Sequence, residues 1–141
     1  MTPLEALQQT LAGEHAAVYV YGVLGGRAST SGDSSLAARV QSAYTTHRAR
    51  RDTLTAMVRG AGGRPVAAAV SYQLPNAART ARQLTAAALV TERRCASVYA
   101  AAVGGTSGTA RRWAVDALTD CAVRQLSFGG SPSPFPGAAE L

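Results

Sequence analysis

Glu14 and Glu92 occupy positions where a packed helix would carry an apolar side chain. Glu14 falls in the series Leu4, Leu7, Leu11, Glu14, Val18, Tyr21, and Glu92 in Leu89, Glu92, Ala96, Tyr99, Val103. Both series step by three and four residues, the spacing of one helix face. His47 holds a similar place in Leu36, Val40, Tyr44, His47, Arg51, Leu54, Val58. A carboxylate inside a helical bundle is costly unless it is paired, protonated or bound to a metal. Two chemistries follow. As ligands, Glu14, His47 and Glu92 offer two hard oxygens and one imidazole nitrogen, which suits a single Fe, Mn or Zn ion, and Cys95 stands one turn after Glu92 as a soft addition. As a buried polar network, Glu14 and Glu92 are neutralised by His47 and Arg51, joined by Arg50 or Arg48, with Tyr44 beside them. A guanidinium can bridge two carboxylates, and such a network fixes helix register. The network is the reading favoured by the sequence.

Four helices are needed to place these residues, and the sequence predicts them over about 3–24, 33–61, 76–103 and 107–128. Thr2 and Pro3 open the first, and Gly25-Gly26 reads as its stop. Asp33 caps the second, which the glycines at 60, 62 and 63 end. Asn76 is read as the cap of the third, Gly104-Gly105 as its end, and Thr106 or Ser107 as the start of the fourth. Residues 129–141, with prolines at 132, 134 and 136, form a tail that is extended or disordered.

The connection from Gly62 to Pro75 decides the topology. At about 3.3 Å per residue it reaches roughly 45 Å, as far as a 28-residue helix is long at about 1.5 Å per residue. It can therefore return along the whole bundle, and its apolar composition requires it to lie against the helices. Two short hairpins joined by one long crossover between helices two and three make an all-α, ferritin-like four-helix bundle.

Composition agrees with one such domain over 1–128 followed by the tail. The chain has 141 residues, is 47% hydrophobic and only 6% aromatic, and is rich in alanine, which favours closely packed helices. The formal charge of +6 comes from fourteen arginines, since lysine is absent. Solvated helix faces explain most of them; an adaptor for an acidic partner is a third reading that rests on charge alone, and nucleic acid is not expected. Two cysteines, Cys95 and Cys121, have no framework spacing, so they read as small buried side chains in a reduced, cytoplasmic protein. No signal segment or membrane span is expected, because the apolar run over 84–103 is broken by Glu92-Arg93-Arg94. Hydrolase triads, phosphate loops and dinucleotide fingerprints are absent.

Several segments together resemble a known family. Gly13-Glu14-His15-Ala16-Ala17-Val18-Tyr19, His47-Arg48-Ala49-Arg50-Arg51-Asp52, Ser71-Tyr72-Gln73-Leu74-Pro75, the stretch from Glu92 to Tyr99, and Pro134-Phe135-Pro136-Gly137 are similar, in order and spacing, to the actinobacterial ferritin-like domain of unknown function DUF4439. The resemblance implies a ferritin-like bundle and supplies no activity. Ferritin-like metal proteins carry one Glu on each of two helices and Glu-x-x-His on the other two. Here Glu14 and Glu92 match the lone glutamates, but Tyr44 stands three residues before His47 and Val123 three after Asp120. The di-iron set is incomplete. Asp116 and Asp120 read as solvent-facing, opposite the apolar residues Ala114, Val115, Leu118, Cys121, Ala122 and Leu126. Trp113 reads as a mark of a subunit interface, and His15 as a surface or interface residue. The expected protein is non-enzymatic and homodimeric, and its sequence names no small-molecule ligand.

Overall fold

The computed structural model describes residues 1–140, so Leu141, the last residue of the expected tail, lies outside the described residues. Helix α1 spans Pro3–Ser29, α2 Ser34–Gly60, α3 Ala81–Gly105 and α4 Gly108–Ser127, followed by a 3-10 turn over Ala138–Glu140. There is no strand among the described residues. Thr2 caps α1 through a capping box: its hydroxyl accepts from the Glu5 amide at 3.2 Å, and the Glu5 carboxylate accepts from the Thr2 amide at 2.6 Å. Asp33 caps α2 in the expected way, accepting from the Leu36 amide at 2.9 Å.

Two helix boundaries depart from the sequence reading. Gly25-Gly26 does not stop α1, which continues to Ser29. Ala28 is buried there beside Leu24 and Leu36, and Arg27 donates to the Ala77 and Ala78 carbonyls of the crossover at 2.7 and 3.2 Å. This burial and bonding offset the roughly 1 kcal/mol that each interior glycine costs a helix. Asn76 does not cap α3. Its Oδ1 accepts from the Ala78 amide at 2.7 Å, forming a local turn that places Ala78 at φ 50° with its methyl in the core. Thr80 is the cap instead, accepting from the Gln83 amide at 3.1 Å.

The helix directions follow from side-chain meetings. On α1 and α3, Ala6 lies by Gly105, Gly13 by Val98, and the Tyr21 hydroxyl by the Ala88 carbonyl, so the two run antiparallel. On α2 and α4, Arg39 reaches the Ser127 carbonyl, Thr46 meets Arg124, and Arg50 meets Asp120, again antiparallel. With short turns making α1–α2 and α3–α4 hairpins, α2 and α3 must be parallel, and the crossover carries the chain back between them. The crossover is tied to α1: Gln8 donates to the Arg64 carbonyl at 2.6 Å and accepts from the Val66 amide at 2.8 Å, and His15 Nε2 donates to the Val66 carbonyl at 2.9 Å. Tyr72 packs on Tyr19 with ring centroids 5.6 Å apart. The contact is not continuous, since Val70 is fully exposed.

Small residues let α1 and α3 approach closely, whereas α2 and α4 are joined across a wider gap by long arginine side chains. The tail is neither simply extended nor loose. It is anchored at both ends: Phe128, just before it, is buried against Tyr21 under the Arg39 guanidinium, and its 3-10 turn packs on α3. At Gly137, with φ 76°, a Cβ would overlap the backbone of Ala96 and Ser97.

Candidate polar and metal-binding centre

Three helices deliver Glu14, His47 and Glu92 to one buried point, each at most 1% exposed. His47 Nδ1 lies 2.7 Å from Glu14 Oε2, and Nε2 lies 3.0 Å from Glu92 Oε1. The imidazole therefore stands between the two carboxylates with one nitrogen committed to each. Burial alone would push its pKa down, but Glu14 and then Glu92 outweigh that and raise it from 6.5 to about 9. At neutral pH it is an imidazolium donating from both nitrogens.

Two tyrosines complete the arrangement. The Tyr99 hydroxyl donates to Glu14 Oε1 at 2.5 Å, and the Tyr21 hydroxyl donates to Glu92 Oε1 at 2.6 Å while its ring stacks on His47 at 5.3 Å. Burial, and next the adjoining carboxylates, hold both phenols well above their ordinary pKa, so they remain donors. The pattern is reciprocal. Each of α1 and α3 carries a glutamate followed seven residues later by a tyrosine, and antiparallel packing brings Tyr21 to Glu92 and Tyr99 to Glu14. That repeated Glu-x6-Tyr spacing was the signal available in the sequence for these two partners among the five tyrosines. Glu92 Oε2 is the one buried side-chain oxygen or nitrogen left without a partner among the described residues.

Arg51 is not part of the network. It binds the neighbouring Asp52 carboxylate at 2.7 Å on the outer side of α2. Arg50 takes the inner position, because α4 supplies its partners: Nη2 donates to Asp120 Oδ2 at 2.6 Å and Nη1 to Cys121 Sγ at 3.4 Å, with the guanidinium 5.5 Å above the Tyr99 ring. Tyr44 is also outside the network; it is half-buried and carries the Arg48 guanidinium over its ring at 5.7 Å. Asp120 is only partly solvent-facing, 38% exposed, since it accepts from Arg50 and also, at 2.9 Å, from Arg124. Burial would raise its pKa, but Arg124 and Arg50 hold it below the ordinary value. Asp116 is exposed as expected. Trp113 does not stand clear of the core: it is half-buried and packs edge-on against Tyr99 at 5.7 Å. The buried face of α4 is Ala114, Ala117 and Cys121, leaving Val115 and Leu126 of the expected apolar set exposed.

The cysteines face the same centre. Burial first, and then Glu14, pushes the Cys95 thiol up; for Cys121 it is burial and then Glu92. Both are free. A di-metal centre does not fit these residues. Tyr44 and Asp120 are engaged by arginines, and Val123 is 59% exposed, so the second glutamate and second histidine positions supply no inward ligand. Six of the fourteen arginines are tied down within the fold: Arg27, Arg39 and Arg111 bind backbone carbonyls, and Arg50, Arg51 and Arg124 bind aspartates, whereas Arg59, Arg82, Arg93, Arg94 and Arg112 lie exposed on helix faces. No helix among the described residues is long and apolar enough to cross a membrane.

Residues 6–140 match the family described as a domain of unknown function, DUF4439. The chain belongs to the DUF4439 family. This DUF4439 chain is similar to the crystal structure of a conserved hypothetical protein, rv2844, from Mycobacterium tuberculosis, at 31% sequence identity and a TM-score of 0.80, over 89% of this chain and 87% of that one. Nothing among curated proteins matches it. The DUF4439 match includes the tail that packs on α3, so the family unit extends beyond the four helices.

Proposed function

We propose that this chain is a ferritin-like helical protein without oxidase chemistry, whose Glu14–His47–Glu92 set is a charge-balanced polar centre that holds the helices in register. The observation that supports the reading is the position of His47, whose two nitrogens point to carboxylates on opposite edges of the ring. A single ion cannot take Glu14, His47 and Glu92 together in that arrangement, because the two ring lone pairs diverge. The charges also balance: Glu14, Glu92 and Asp120 stand against His47, Arg50 and Arg124. A homodimer is part of the reading, supported by exposed Val115, Val123 and Leu126 along α4, and a monomer in sedimentation equilibrium removes that part.

The decisive experiment is aerobic Fe(II) oxidation followed by oxygen consumption and ferric absorbance. The expected rate equals that of buffer containing the same iron. Turnover above that background, lost on Glu14→Gln, overturns the proposal.

A further inference from the structure

We propose that Glu14, His47 and Cys95 form a binding site for one borderline divalent cation such as Zn2+ or Co2+, with Glu92 as the residue that orients His47. This goes beyond the polar-centre reading and assigns Glu92 a different part from that of a ligand. One carboxylate oxygen, one imidazole nitrogen and the thiol sulfur of these residues lie within 4.8 Å of one another, and each comes from a different helix. Around a tetrahedral ion with bonds of about 2.0–2.3 Å, ligand atoms stand about 3.5 Å apart. Small side-chain adjustments therefore bring all three to a common point, in the place of the proton shared by Glu14 and His47 Nδ1. A thiolate, an imidazole and a carboxylate together match the preference of such ions, and less that of Mg2+ or Ca2+.

Two further features suit this use. The second nitrogen of His47 faces Glu92 Oε1, which in turn accepts from Tyr21. A carboxylate on the far nitrogen fixes the tautomer and orientation of a metal-bound histidine. The second feature is access. A cleft of about 190 Å³ between α1 and α3 is lined by Gly13, Ala17, Val20, Thr91, Cys95 and Val98, so Cys95 forms part of its wall. The cleft borders the Cys95 side of the centre from outside, and it is there that the proposal places a water as fourth ligand. Proton balance is simple: the Cys95 thiol loses its proton to become the thiolate ligand, and Nδ1 gives up the one it shares with Glu14, so two protons leave per cation bound.

The test is titration of the metal-free full chain with Co2+, read by absorption. One equivalent should produce thiolate-to-cobalt charge transfer together with the visible bands of a four-coordinate ion. Cys95→Ser should lose the charge transfer, and Glu92→Gln should keep it while weakening affinity by about 10–100-fold. Helical circular dichroism shows that each variant is folded. X-ray absorption of the Zn2+-loaded parent needs no variant, and should show one sulfur at about 2.3 Å with nitrogen and oxygen at about 2.0–2.2 Å. Absence of charge transfer at one equivalent overturns the site. So does a band that survives Cys95→Ser and disappears in Cys121→Ser, or a zinc shell without sulfur. None of these outcomes bears on iron oxidation, so this site and the polar-centre proposal stand or fall separately.

Discussion

Raising the pH should weaken the fold through His47, and the size of the effect follows from the geometry around the ring. The folded imidazolium has its pKa raised from 6.5 to about 9 because Glu14 and Glu92 outweigh the cost of burial. A group whose folded pKa lies above its unfolded one contributes stability that is complete below about pH 6.5. That contribution is lost as pH rises through about 9. At about 1.4 kcal/mol per pH unit, it amounts to about 3 kcal/mol when complete, and about half of it disappears between pH 6.5 and 8. His47 is fully buried, so solvent screening does not reduce it. The groups that face the ring from the neighbouring helices are Glu14 and Tyr21 of α1, Glu92, Cys95 and Tyr99 of α3, and Cys121 of α4, with Arg50 on α2 itself. The thiols and phenols have raised pKa values that act in the same direction only at higher pH, which is why the window stops at 8. Urea unfolding of metal-free protein in a His15→Gln background leaves His47 as the one histidine. Unfolding free energy should fall across the window, and His47→Gln should flatten the profile. An unchanged free energy from pH 6.5 to 8, or a slope that persists in His47→Gln, refutes the reasoning.

Asp120→Asn should cost roughly 1 kcal/mol in urea unfolding at low salt, a modest figure because the carboxylate is 38% exposed and its two arginine pairs are partly screened. The difference from the parent should shrink in 1 M salt, at which the screening length is about 3 Å; a salt-independent loss contradicts the ion-pair account. Gly137→Ala should destabilise by about 1–2 kcal/mol, since an added methyl overlaps the α3 backbone at a positive φ. Limited proteolysis after residue 128 should accelerate, and an unchanged cleavage rate excludes the docked tail.

The helix count, the parallel α2 and α3 and the three central residues were all readable from periodicity, caps and linker length. What escaped reading depends on contacts between distant parts of the chain. Gly25-Gly26 has the composition of a stop, but the burial of Ala28 beyond it belongs to tertiary packing. Arg50 and Arg51 are adjacent and chemically identical, and only Asp120 on another helix decides which turns inward. Trp113 was placed by the α4 pattern alone, whereas Tyr99 on α3 draws it in. Tyr44 shares the helical face of His47, yet the donors that the carboxylates use come from α1 and α3.

The unequal sides of the bundle have a consequence for how it moves. On one side, alanines and glycines of α1 and α3 bring the backbones together; on the other, Arg39, Arg50 and Arg124 span between α2 and α4. Long polar arms of this kind yield before close apolar contact does. The two hairpins should therefore breathe like a book on its spine, with the α1–α3 line as spine and the arginine-bridged side as the opening edge. Amide hydrogens along the facing turns of α2 and α4 would then exchange ahead of those in the α1–α3 contact, giving each side of the molecule its own clock.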